Sequence, residues 1–233
     1  MVISSQAPFD VSRCDGIHQN IVMTLLGSSR GRSEVPLLVD YRSDEGSRVT
    51  AVRSTLLSSS LATLREHGHF ERYFERLPHR YREDVLGALE HEWLPVGVAD
   101  VHYATCDSLG LSDAELTHIG ERACARLLEA FRVAPFHPGR ESEAVTPWLP
   151  LAHYGRLFRG LLRGGTCMVG GIGPRDALVR ANGASFFATD YFRSAYHAVL
   201  RGAVARFANE VSGRTTSADE TGPIAVVTTL SWR

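Results

Sequence analysis

The stretch "LSDAELTHIGERACARLLEAF", Leu111 to Phe131, constrains the fold more than any other part of the chain. Ser112 and Glu115 make a capping box, in which each side chain satisfies a backbone N–H at the helix start. Behind it Leu116, Ile119, Ala123, Leu127 and Phe131 fall on one stripe, while Glu121, Arg122 and Arg126 face away. An apolar stripe of roughly four turns has to be covered by another layer, so a core must be built around this helix.

The flanking segments supply candidates for that layer. Residues 16–26 have helical spacing and stop at Gly27, and "SSRGRSE" reads as a loop. "VPLLVDYR", Val35 to Arg42, is rich enough in β-formers to be a strand. From Val52 onward Leu56, Leu57, Leu61 and Leu64 predict a helix stopped near Gly68. Phe70, Tyr73, Phe74 and Leu77 predict a second, ended by Pro78; Tyr81, Val85, Leu86 and Leu89 mark a third. After the loop 137–147, Tyr154, Leu157, Phe158, Leu161 and Leu162 predict a helix stopped at Gly164-Gly165. "TCMVGG" is strand-like. "GPRDALVRANG" fits a short helix with Pro174 at its first position, or else a hairpin turning at Asn182-Gly183. "TDYFRSAYHAVLRGAVARFANEV" predicts a long helix with Phe192, Ala195, Tyr196, Val199, Ala203 and Phe207 inward. "SGRTTSADETG" reads as a loop, and "PIAVVTTLSW" as a closing strand.

Composition narrows the chemistry. With 44% hydrophobic and 22% charged residues, the chain is that of a globular protein, and a formal charge of −1 gives no field to attract nucleic acid. All 25 basic residues are arginine. That excludes every mechanism needing an amine side chain, from a phosphate-loop lysine to a Schiff base. The four cysteines are scattered without a C-x-x-C pair, which argues against a disulfide scaffold or a cysteine-rich zinc site. No apolar run approaches the ~20 residues of a membrane span, and no signal-peptide pattern opens the sequence; a cytoplasmic location is expected.

Two segments echo each other: "WLPVGVADVHY", Trp93 to Tyr103, and "WLPLAHY", Trp148 to Tyr154. Proline suits a first helical turn, so the echo reads as one helix-start device used twice rather than a duplication. His102 and Cys106, four apart, face the same way in a helix. The spacing suits a metal or an axial haem ligand, and equally a half-buried histidine beside a small buried cysteine, the commoner arrangement. Glu66, His67, His69 and Glu71 could hold a divalent ion, though polar residues at a helix end are usually only solvated. Cys167, among glycines, is the best nucleophile candidate; it lacks a nucleophile-elbow pattern and an evident base. The same glycines with Pro174 and Arg175 could receive an anion at a helix start. Arg156, Arg159 and Arg163 form a stripe best read as a solvated face.

The order of features from about Arg53 onward carries a resemblance. A helix leads to "FERLPHRYRE", then "WLPV", "LGLSDAELTHIGERACARLL", "GPRDALVRANG", "DYFRSAYHAVLRGAVARF" and a last strand ending in Trp232. This resembles a paralogous family of myxobacterial proteins. More distantly it is similar to the ligand-sensing fold of four-vinyl-reductase-type domains, TRAPP-like subunits and haem-NO-binding domains. The resemblance implies an α+β domain, mostly helical, with helices packed on a small antiparallel or mixed sheet of three to five strands. It also implies a homodimer or protein partner and a pocket for a small apolar or mixed ligand. Residues 51–233 are expected to form that domain and residues 1–50 an extension packing on it. The tyrosine-x-serine-x-arginine signature for haem propionates is absent, "YFRSAY" not matching it, so haem would rest on His102 alone. The expected function is a non-enzymatic sensor or interaction domain of a bacterial regulatory system. Its candidate pocket residues are Trp93, His102, Tyr103, Trp148, His153, Tyr154 and Tyr196, which combine apolar bodies with polar tips. The alternative is a cysteine-dependent enzyme, in acyl transfer or hydrolysis, using Cys167 with a histidine.

Overall fold

The computed structural model describes residues 37–89, 91–130, 146–218 and 224–233, side chains of 127–130 and 217–218 excepted. The expected helix at 16–26, most of the 137–147 loop and Phe131 lie outside the described residues. The strands are β1 (Leu37–Arg42), β2 (Val49–Arg53), β3 (Trp93–Pro95), β4 (Leu162–Gly164), β5 (Thr166–Gly173), β6 (Asp176–Asn182), β7 (Val211–Ala218) and β8 (Ala225–Trp232). The described helices are α1 (Ser54–Glu66), α2 (Phe70–Arg76), α3 (Arg82–Leu86), α4 (Val96–Asp107), α5 (Asp113–Ala130), α6 (Trp148–Ala152), α7 (Tyr154–Leu161) and α8 (Asp190–Val204). The fold is α+β. A five-stranded antiparallel sheet runs β1-β5-β6-β8-β7, and a three-stranded antiparallel sheet runs β3-β2-β4.

Helix α5 starts where its capping box places it. Glu115 Oε2 accepts from the Ser112 N–H at 2.8 Å, and the Glu115 N–H donates to Ser112 Oγ at 3.4 Å. Its apolar stripe packs along α8, which in turn lies on β7. The crossing is tight because it is made at small residues: a Cβ on Gly120 would stand 2.4 Å from Cβ of Ala198 and 2.7 Å from the Ala195 carbonyl oxygen. Helix α1 buries Leu57, Leu61 and Leu64, and with them Ser60 and Thr63.

Three expectations give way. Residues 176–182 are strand β6, not a helix: Ala177, Val179 and Ala181 are buried and Arg180 is exposed, a period of two. The hairpin turns at Pro174-Arg175, between paired Gly173 and Asp176, and Asn182-Gly183 lies at its far end. The stretch expected as a loop after α8 is largely strand β7, paired with β8 along its length, with the Thr215 and Thr228 hydroxyls hydrogen-bonded at 2.6 Å. Helix α8 itself ends at Val204. The two echoes are not one device. Trp93–Pro95 is strand β3, with Pro95 the residue before α4, whereas Trp148 opens α6 and Pro150 is its third residue. Strands β1 and the start of β2 fall within the segment expected as an extension, and β1 is an edge of the larger sheet. Gly164 has φ +77, and a Cβ there would stand 2.0 Å from the Arg48 carbonyl oxygen; the junction of β4 and β5 therefore requires glycine.

Candidate functional site

Helix α4 turns His102, Tyr103 and Cys106 into the core, at 0%, 4% and 1% exposure. The i, i+4 spacing brings His102 Nε2 within 3.7 Å of Cys106 Sγ. From α2, the hydroxyl of fully buried Tyr73 reaches His102 Nδ1 at 2.7 Å. Tyr73 engages one ring nitrogen and the Cys106 sulfur faces the other, so either tautomer finds a partner at both. Cys106 Sγ lies 4.0 Å from Ser60 Oγ of α1, and that hydroxyl bonds the Tyr191 hydroxyl of α8 at 2.8 Å. Five polar side chains from four helices thus form one buried chain, Tyr73–His102–Cys106–Ser60–Tyr191.

Burial sets the charge states. It pushes the His102 pKa down to about 3, so the ring is neutral. It pushes the Cys106 thiol and the Tyr73 and Tyr191 phenols upward, so all three stay protonated. A recess of about 120 Å³ is lined by Cys106, Asp107, Gly110, Leu111, Leu116, Asp190 and Tyr191. Its carboxylates are engaged: Asp107 accepts from the Tyr191 N–H at 2.8 Å, and Asp190 pairs with Arg193.

Around this chain the core is filled by rings. Tyr103 stacks on Phe186 with centroids 4.9 Å apart and meets Phe192 edge-on at 5.1 Å. Phe192 stacks on Tyr196 at 5.7 Å, and the Tyr196 hydroxyl bonds that of Tyr154. His102, Tyr103, Tyr154 and Tyr196 therefore belong to one continuous aromatic array. The tryptophans lie elsewhere: Trp148 packs edge-on against Trp232 at 4.7 Å, and Trp93 sits under the guanidiniums of Arg53 and Arg163. His153, half-buried, joins α6 to α7.

The other candidates resolve as follows. Cys167 is 1% exposed in β5, and burial pushes its thiol up to about 12, opposite to the shift that activates a nucleophile. Arg175 is exposed in the β5–β6 turn, where the helix start proposed to hold an anion does not exist. Glu66 pairs with Arg122 and Arg126, His69 with Glu115 at 3.2 Å, and His67 packs against His118. Among the described residues no group of three or more side chains is placed to hold a metal ion. Tyr73 was legible only as a helix-stripe residue, and Ser60 and Tyr191 were not singled out by the sequence. The available signal was a tyrosine on an apolar stripe, whose hydroxyl needs a buried partner.

No known family matches the sequence, and no curated protein matches it. Solved structures do resemble the fold. A structure from the H-NOX family, solved to probe the function of haem distortion, is similar with a TM-score of 0.51 and 10% identity, over 78% of this chain and 95% of that one. An H-NOX mutant carrying 4-cyano-L-phenylalanine is similar with a TM-score of 0.50 and 10% identity, over 78% and 96%. The likeness is one of fold.

Such a fold raises haem, and the residues present do not fit it. Axial ligation by His102 needs a ring nitrogen facing open space. Nδ1 is bonded to Tyr73, Nε2 faces Cys106, and the Tyr103, Phe186 and Phe192 rings occupy the adjoining volume. No buried side-chain polar atom among the described residues lacks a hydrogen-bond partner, so none waits for a propionate. The recess, about 120 Å³, is also small beside the roughly 300–1,000 Å³ of ordinary cofactor sites.

Proposed function

We propose that the chain is a non-enzymatic sensor or interaction domain of a bacterial regulatory system, using an H-NOX-like fold without haem. The observation that carries this reading is the closed polar chain Tyr73–His102–Cys106–Ser60–Tyr191, which ends at a small surface recess. A network of this kind couples the recess to four helices, so a ligand seated there, against the end of α4 and the start of α8, shifts the packing of all four. The ligand class follows from size and charge. Asp190 is already paired with Arg193 and Asp107 accepts from the Tyr191 N–H, so a recess of about 120 Å³ takes an uncharged or weakly cationic molecule of few heavy atoms with a hydrogen-bonding group. On this reading the domain works in the cytoplasm as a homodimer or with a protein partner. Among the described residues no helix is long and apolar enough to cross a membrane.

Native mass spectrometry and an absorption spectrum of the purified protein test both halves of the proposal. We expect no haem absorption band and a small-molecule adduct that Tyr191→Phe weakens. A haem band abolished by His102→Ala would overturn the haem-free reading. A bare protein mass at every concentration, with no adduct from a panel of small neutral and cationic molecules, would overturn the sensor reading.

A further inference from the structure

The outer face of the three-stranded sheet carries a second cluster, remote in kind from the buried chain. Val52, Leu94 and Leu162 pair across β3-β2-β4 and are buried. The adjacent residue of each strand turns to the opposite face by the period of two, which puts Arg53, Trp93 and Arg163 together outside. The guanidinium carbons of Arg53 and Arg163 lie 4.1 and 4.5 Å from the centroid of the Trp93 ring. Arg53 is fixed by donating to the His91 carbonyl at 2.7 Å and the Gly160 carbonyl at 3.4 Å. Trp93 is half-buried and Arg163 exposed. Among the described residues neither guanidinium is paired with a carboxylate. Partial burial and then repulsion from Arg163 lower the Arg53 pKa.

We propose that this face is a docking site for an acidic segment of a partner protein, its carboxylates received by Arg53 and Arg163 and its apolar contact made on Trp93. Tryptophan and arginine are the residue types that carry most binding energy at protein interfaces. Guanidiniums receive carboxylates in a planar, two-pronged geometry. Nucleic acid fits less well, because a chain of net charge −1 offers it no long-range attraction. The site stands whether or not the core recess takes a ligand.

The test is fluorescence anisotropy of the full chain with a labelled peptide of alternating Glu and Ser, against its Gln-and-Ser counterpart and a single-stranded oligonucleotide. Binding should be selective for the acidic peptide and weaken as salt rises. Arg163→Gln, at an exposed position, should weaken it roughly tenfold, and Arg180→Gln, on the other sheet, should leave it unchanged. Equal binding of the neutral peptide, equal effects of the two substitutions, or tighter binding of the oligonucleotide would each overturn the proposal.

Discussion

His102 is held neutral because charging it would place an unpaired cation in a core of rings, where its neighbours Tyr73, Tyr103 and Cys106 are all neutral. The pKa falls from about 6.5 in an unfolded chain to about 3 in the fold. Between those values the unfolded chain binds the extra proton, so stability rises with pH through the window. The contribution is fully present above the unfolded value and is lost as pH falls toward about 3. At its steepest the loss approaches roughly 1.4 kcal/mol per pH unit. The tyrosines and Cys106 do not compete there, since burial moves them upward. Urea unfolding of the protein and of His102→Gln should therefore differ in pH slope by about one proton between roughly pH 6 and pH 4. Parallel slopes would mean that His102 reaches water before the protein unfolds.

Helices α5 and α8 meet at Gly120 against Ala195 and Ala198, and the contact decides how the helical layer sits on the sheet. Alanine is the better helix former by about 0.8–1.0 kcal/mol, so on propensity alone Gly120→Ala should stabilise. The Cβ contact of 2.4 Å leaves no room for it, and separating two backbones costs about 1–3 kcal/mol. Packing wins: Gly120→Ala should lower the thermal midpoint by roughly 2–6 °C, and an unchanged or raised midpoint in calorimetry would show that the helices cross more loosely. The capping box and stripe of α5, the stripes of α1 and α2 and the closing strand were readable because one periodicity fixed each of them. The helix reading of β6 arose because Pro174 mimics a helix start and Ala and Leu serve both periods; the hairpin reading had the strand and misplaced the turn. Strand β7, "VSGRTTSA", has few apolar residues; its structure comes from pairing with β8, a long-range fact that no local pattern carries. The polar chain was half legible for the same reason. His102 and Cys106 are four apart on one helix, whereas Tyr73, Ser60 and Tyr191 arrive from three others.

At the scale of the whole molecule, the three described cysteines report which parts open and in what order. Cys106 lies on α4, Cys124 on α5 and Cys167 on β5, at 1%, 4% and 1% exposure. Burial raises every thiol, Cys124 to about 11 and Cys167 to about 12, so labelling requires an opening that returns the thiol to water. If the domain opened only as a whole, the three would label at similar rates, each set by the same unfolding free energy. The recess breaks that equivalence, because Cys106 lines it at the end of α4, one layer from solvent, while Cys167 lies among Tyr154 and Tyr196 in the paired sheet. Iodoacetamide labelling mapped by mass spectrometry should find Cys124, the most exposed and least shifted thiol, fastest of the three, and Cys106 ahead of Cys167. Tyr73→Phe, which removes the hydroxyl bonded to His102, should speed Cys106 selectively by loosening the chain behind it. Equal rates for Cys106 and Cys167 would remove the recess as a route inward. A Cys167 that outruns the other two would instead favour the cysteine-dependent enzyme, because only an activated thiolate could offset its burial.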